Sequence, residues 1–135
     1  MMIVDASAIV AILLGEPEQE AFKAALKAAP SKAMSAINFW EVLVRAYGLS
    51  GPAGREQAEA LVRAFGIEIV GIDVEQTRAA ADAFARYGRR TPAALNLGDC
   101  FAYALAKTHG DGILLYKGDD FRRTDIKSAV AAASA

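Results

Sequence analysis

At 135 residues and 14.2 kDa the chain has room for one ordinary hydrophobic core and not for two. Its 54% hydrophobic content, though raised by alanine, comes with recurring Ile, Val, Leu and Phe, which excludes a disordered chain; a net charge of -1 and a pI near 5.8 exclude a globally basic nucleic-acid binder, so any such contact must be local. The single cysteine, Cys100, excludes an intrachain disulfide and lies in an apolar stretch, as expected for a buried thiol in the reducing cytoplasm.

In chain order, Met2–Val4 is the first β-type run, and Asp5 follows it directly. Residues 6–14 read as a helix. Their apolar stretch falls far short of the roughly 20 residues that span a bilayer, and no positive leader precedes it, so neither signal peptide nor membrane anchor is expected. Gly15 and Pro17 separate this helix from another at 18–29, and Lys32–Ser35 is the second strand. A third helix is expected at 38–49, ending at the breaker Ser50-Gly51-Pro52. Ala58, Leu61, Val62 and Phe65 then make one stripe of a helix at 53–65.

The third strand is expected at 68–72, before helices at Val74–Tyr87 and Leu97–Thr108, the latter closed by His109-Gly110. Residues 113–116 form the fourth strand and 125–128 a weaker fifth. Strands alternating with helices predict one α/β domain over 1–128, with a mainly parallel sheet of about five strands and helices on both faces; 129–135 is an Ala-rich tail. In such sheets ligands bind beyond the carboxyl ends of the strands.

Four acidic positions matter for that edge. Asp5 ends the first strand, where it can also cap the next helix. Glu41 lies three residues after Asn38 on one helix face, a spacing that also fits a capping box. Asp99 opens the helix at Leu97–Thr108, where it complements the helix dipole, but Ala102, Tyr103 and Ala106 share its face, and an acid beside apolar surface needs a partner or a metal. Asp119 and Asp120 follow the apolar fourth strand in a turn, with Asp125 a few residues on; turns attract Asp for local reasons.

A parallel sheet can bring these acids to one edge. Two like charges about 4 Å apart repel by roughly 4 kcal/mol at an effective dielectric near 20, so converging carboxylates call for a cation or a proton. Oxygen ligands without a His or Cys cluster select Mg²⁺ or Mn²⁺ over zinc.

Met2-Ile3-Val4-Asp5-Ala6-Ser7-Ala8, Asn38-Phe39-Trp40-Glu41-Val42, Leu97-Gly98-Asp99-Cys100 and Gly118-Asp119-Asp120-Phe121-Arg122-Arg123-Thr124-Asp125-Ile126 together resemble, in order and across the whole chain, the VapC-type PIN domain. The resemblance implies a PIN-like sheet with helices on both sides, and a Mg²⁺-dependent endoribonuclease toxin, with Mn²⁺ able to substitute, restrained by a VapB-like antitoxin. Homodimers are common in that family. Carried over by position, Asp5 and Asp99 match its central metal-binding aspartates, Glu41 its helical glutamate and Asp120 its fourth acid. RNA would need local positive charge, for which Arg86, Arg89, Arg90, Lys117, Arg122 and Arg123 are candidates, set against the ordinary reading of a solvated surface.

His109 suits a helix C-terminal dipole contact, Cys100 has no His partner, and Trp40 and Phe39 are expected mainly in the core. Two other functions fit a strand-terminal Asp. A phosphoryl-aspartate protein is disfavoured because Asp5-Ala6-Ser7 lacks a second Asp two residues on. A non-catalytic interaction module would use the acids only as helix caps and bind a partner helix in a groove.

Overall fold

A computed structural model describes residues 1–130. Strands β1 (Met2–Val4), β2 (Lys32–Ser35), β3 (Glu68–Val70), β4 (Ile113–Leu115) and β5 (Lys127–Ser128) form one sheet in the order β3-β2-β1-β4-β5, every pair parallel. Between them run α1 (Ala6–Leu13), α2 (Gln19–Ala28), α3 (Ala36–Ala64), α4 (Val74–Tyr87) and α5 (Leu97–Thr108), with a short 3-10 turn at Asp120–Arg123.

The central strand explains the layering. Met2, Ile3 and Val4 are all buried, as a strand covered on both faces requires. Successive side chains point oppositely. Met2 and Val4, with Met34 and Leu115, join a core that includes Ile9, Phe22, Leu26 and Val42 from α1, α2 and α3. Ile3, Ala33 and Leu114 join the opposite core, with Ala80, Ala83 and Leu105 from α4 and α5. Helices therefore cover both faces, as the alternating pattern predicted.

Boundaries moved for local reasons. The third helix begins at Ala36, two residues before the expected start, because Ser35 is its cap and its Oγ accepts from the Ile37 amide at 3.3 Å. The breaker at Ser50-Gly51-Pro52 is a kink between two helical pieces, with Gly51 at φ 62°, a backbone conformation that favours glycine. β3 stops at Val70 and not at residue 72, since Asp73 already caps α4 through the Gln76 amide. β4 stops at Leu115, and β5 is confined to Lys127–Ser128.

Beyond β5 the Ala129 amide donates to the Leu114 carbonyl at 2.9 Å, and Ala129 and Val130 pack on the first core. The rest of the Ala-rich tail, 131–135, lies outside the described residues. Among the described residues no helix is long and apolar enough to cross a membrane.

Candidate active site

The register of β1 against β4 fixes the first acid. Asp5 stands at the carboxyl end of β1, its amide donating to the Leu115 carbonyl at 2.9 Å. Its carboxylate caps α1, accepting from the Ser7 amide at 3.1 Å and the Ser7 hydroxyl at 2.5 Å, while the Ser7 oxygen accepts from the Lys117 amide at 2.9 Å. The side chain therefore caps the helix and faces the cleft at once. Asp5 is only 5% exposed, and burial pushes its pKa to about 6, against the lowering effect of the Ser7 bonds and aided by repulsion from Glu41.

Glu41 is held differently from the expected capping box. With Ser35 as the cap, Asn38 sits inside the first turn, fully buried, and its Nδ2 donates both to Glu41 Oε1 at 2.8 Å and to the Gly98 carbonyl at 3.1 Å. That amide ties α3 to the start of α5. Gly98 completes the fit: a Cβ there would collide with both Glu41 carboxylate oxygens. Burial raises the Glu41 pKa, opposed by the Asn38 bond and reinforced by the charge of Asp99.

The capping box occurs instead at α5. Asn96 Oδ1 accepts from the Asp99 amide at 2.9 Å, and Asp99 Oδ2 accepts from the Asn96 amide at 3.1 Å. Asp99 thus serves the helix terminus as expected, and more firmly. Its pKa is pushed up to about 6, chiefly by burial and further by the charges of Asp5 and Asp120.

Asp5, Glu41 and Asp99 line one cleft of about 530 Å³ beyond the sheet's carboxyl edge. Asp120 lies exposed on the 3-10 turn, off the cleft wall but near enough to repel Asp99. Asp119 is exposed and paired with Arg122 at 3.0 Å. Asp125 belongs elsewhere: it accepts from the Tyr103 hydroxyl at 2.5 Å and pairs with Lys107 at 2.9 Å, tying the C-terminal segment to α5.

Among the described residues no three His, Cys, Asp or Glu side chains enclose one ion, so the carboxylates border a shared cleft without forming a ready-made cage. The donor chemistry still fits magnesium. Mg²⁺ keeps several waters and takes one or two carboxylates from a protein, and Asp5 and Asp99 are hard oxygen donors, the charge of Asp5 opposing the ionisation of Asp99 and that of Glu41 opposing the ionisation of Asp5. Asn38, which does not line the cleft, carries a buried Oδ1 with no hydrogen-bond partner among the described residues.

Of the six basic candidates only Lys117 lines this cleft, and its ammonium is engaged by Glu16 and by Glu18 at 3.3 Å. Arg86 leans on the Tyr87 ring and toward Asp125, Arg122 pairs with Asp119, and Arg123 donates to the Pro92 carbonyl at 2.8 Å. Arg89 and Arg90 are exposed after α4 and neither lines the acidic cleft, although Arg89 borders an apolar cleft between α4 and α5 that shares Asn96 with it. The sequence reading missed Arg45, which lines the cleft and falls four residues after Glu41, on the same helical face. It also missed Asn96 and Gly98, although Asn96-Leu97-Gly98-Asp99 has the spacing of a capping box.

Trp40 reverses an expectation. It is 62% exposed and lines the cleft, whereas its neighbour Phe39 packs against the core. Cys100 is buried, with its thiol pushed up to about 11 by burial, and His109 ends α5 exposed, beside the Thr108 hydroxyl. The apolar cleft between α4 and α5, about 430 Å³ and bordered by Phe84, Leu97 and Phe101, offers no carboxylate.

A parallel sheet with helices on both faces, carrying acids from β1, α3 and α5 into one cleft beyond its carboxyl edge, defines the class: an α/β domain with an acidic site. The PIN domain family matches residues 2–127, and the chain belongs to it, within the VapC group. A VapC ribonuclease of Mycobacterium bovis is 43% identical over 130 residues, covering 95% of this chain and 98% of the relative. A ribonuclease VapC of Mycolicibacterium smegmatis is 39% identical over 126 residues, covering 93% and 97%. Among solved structures, the Sarcin-Ricin loop cleaving toxin VapC20 of Mycobacterium tuberculosis superposes with a TM-score of 0.74 at 15% identity, covering 90% of this chain and 93% of that one. A toxin–antitoxin complex from Klebsiella pneumoniae gives 0.69 at 23% identity, covering 93% of each chain.

Proposed function

We propose that this chain is a Mg²⁺-dependent endoribonuclease toxin, cytoplasmic and held in check by a VapB-like antitoxin. Its relatives are named VapC ribonucleases over nearly their full length, which supports the ribonuclease reading, and the toxin–antitoxin complexes among its structural neighbours support the pairing. The observation that carries the catalytic reading is the cleft itself. Three carboxyl groups from three separate segments share it, and two of them, Asp5 and Asp99, reach about 6 through burial and repulsion from neighbouring acids. A fold that needed acids only as helix caps would gain nothing by burying them together.

In this reading Asp5 and Asp99 hold the metal, with Glu41 and Asp120 near it. Held there, Mg²⁺ would supply the positive charge that makes the phosphate more electrophilic, water more acidic and the 3′-oxygen a better leaving group. Glu41, fixed by Asn38 and given room by Gly98, orients the attacking water and takes up its proton. Water oxygen bonds to phosphorus as the bond to the 3′-oxygen breaks, and the departing oxygen takes a proton from solvent, leaving a 3′-hydroxyl and a 5′-phosphate. Ser7 holds Asp5 in its rotamer, and the Asn96 box does the same for Asp99.

The test is cleavage of total RNA by the purified protein with Mg²⁺ or Mn²⁺, against a chelator control and a folded Asp99→Asn variant. Metal-dependent cleavage lost in the variant is the expected result. Equal cleavage by both proteins, or products ending in a 2′,3′-cyclic phosphate, would overturn the scheme.

A further inference from the structure

The cleft has walls as well as an acidic floor, and two wall residues stand out from the packed core. Trp40 is 62% exposed, an unusual placement for the largest apolar side chain, and it is the chain's single tryptophan. Arg45 lines the same cleft, is exposed, and pairs with no carboxylate among the described residues. The other cation on the wall, Lys117, is bound to Glu16 and Glu18. Arg45 is therefore the cleft's one uncommitted cation among the described residues, although acids lie on the same walls.

We infer that Trp40 and Arg45 form a nucleotide-positioning wall: the indole stacks on a base next to the scissile phosphate, and the guanidinium takes a backbone phosphate of that strand. This rests on the ribonuclease reading and names residues for it. An aromatic face is sequence-tolerant because every base has a π-face, and a planar guanidinium matches a phosphate with two parallel hydrogen bonds. A base can reach the indole only if it is free of its own stack, so the wall selects an unpaired segment over a closed duplex.

The position on α3 is what couples wall to chemistry. Trp40 adjoins Glu41 in sequence, and Arg45 follows Glu41 by one helical turn, so the helix that carries the water-orienting acid also carries both contacts. Val44, 48% exposed, lies between them on the same wall. A protein segment seated on this stripe would meet an apolar face with an arginine and acids at its edge. An RNA strand offers a base to the indole and a phosphate to Arg45 at once, and with the cation of the ribonuclease reading on the floor its next phosphate would be held there too; the pairing of an aromatic face with an uncommitted guanidinium on one helix is what favours RNA.

Both residues act as positioning groups, and the test separates that from a structural role. Fluorescence of Trp40 is followed in Asp99→Asn protein with Mg²⁺ while a short single-stranded RNA, or a blunt duplex of the same sequence, is titrated in. KM and kcat are measured separately in the otherwise native protein carrying Trp40→Ala, Trp40→Phe or Arg45→Gln. Quenching by the single strand and not by the duplex is expected. Trp40→Ala should raise KM about tenfold with kcat within about twofold, Trp40→Phe should recover most of the loss, and Arg45→Gln should flatten the salt dependence of binding by about one phosphate contact.

If the native protein cleaves RNA in a metal-dependent way while the single strand leaves Trp40 unquenched and Trp40→Ala leaves KM unchanged, the wall is refuted and the nuclease reading survives. If the native protein neither cleaves nor binds RNA, the nuclease reading fails and the wall with it. Quenching by a synthetic amphipathic peptide with basic and apolar residues, and not by RNA, would assign the face to a protein partner and overturn the proposal.

Discussion

Two carboxyls that the fold holds near pH 6 make the metal-free protein sensitive to pH in an unusual direction. In Asp5 the carboxyl moves from an ordinary 3.8 to about 6 because burial disfavours its charge. The folded state thus binds a proton more tightly than the unfolded chain, and stability falls as pH rises through the window from about 4 to 6. Across the whole window this single group costs the folded state about 3 kcal/mol, at about 1.4 kcal/mol for each tenfold change in proton affinity. Between pH 5 and 7.5, the range free of acid denaturation, integration leaves about 1.4 kcal/mol of that. Asp99 adds a smaller amount of the same sign, because it is more exposed and shares its repulsion with Asp5. Urea titrations in chelator should therefore give a midpoint that is lower at pH 7.5 than at pH 5. Asp5→Asn, which removes the ionisation but keeps an acceptor for Ser7, should lose most of that pH dependence and be the more stable protein at pH 7.5. Adding Mg²⁺ should raise native stability at pH 7.5 and have little effect at pH 5, since metal binding needs deprotonated carboxylates. Stability that is flat or rises between pH 5 and 7.5 in chelator, with no difference between native protein and Asp5→Asn, would refute the reasoning.

Other residues separate the site from its scaffold. Gly98→Ala should displace the Glu41 carboxylate without disturbing backbone, so single-turnover cleavage should drop at least about tenfold while thermal stability changes by no more than about 1 kcal/mol. Asn38→Ala removes the donor to Glu41 and to the Gly98 carbonyl; it should lower both the cleavage rate and stability, the latter by about 1–3 kcal/mol in denaturant titrations. Asp125→Asn should do the reverse of Gly98→Ala, costing stability through its bonds to Tyr103 and Lys107 while leaving cleavage within about twofold of native.

The fold was legible because each level of the sequence agrees with the next. The short apolar runs at Met2–Val4 and at 113–116 can be buried on both faces only in a parallel sheet between helices, and Asp5 then has to fall at the carboxyl edge. Element ends were less legible, since they depend on which of two nearby cappers wins. Ser35 and Asn38 can each start the helix; Ser35 does, because β2 ends there and Asn38 is drawn into the seam with α5.

The placement of Asp5 and Asp99 at the cleft was legible because strand end and helix start fix a side chain's position locally, whereas their reading as metal ligands came from the family resemblance. Arg45, Gly98 and the outward Trp40 were not legible, because their roles exist only across the gap between α3 and α5. An arginine one turn beyond a glutamate is ordinarily half of an ion pair. Here Glu41 turns away toward Asn38 and lies against Gly98, so Arg45 is left uncommitted over the cleft, a consequence of an α5 residue that lies sixty positions after Asn38 in the chain. The substitution Gly98→Ala therefore reaches further than Glu41 alone. If the displaced carboxylate swings toward Arg45 and pairs with it, the variant loses the acid proposed to orient water and the cation proposed to hold phosphate together. The salt dependence of RNA binding should then fall as it does in Arg45→Gln, and adding Arg45→Gln to Gly98→Ala should weaken binding no further. Additive losses in that double variant would show that the carboxylate goes elsewhere.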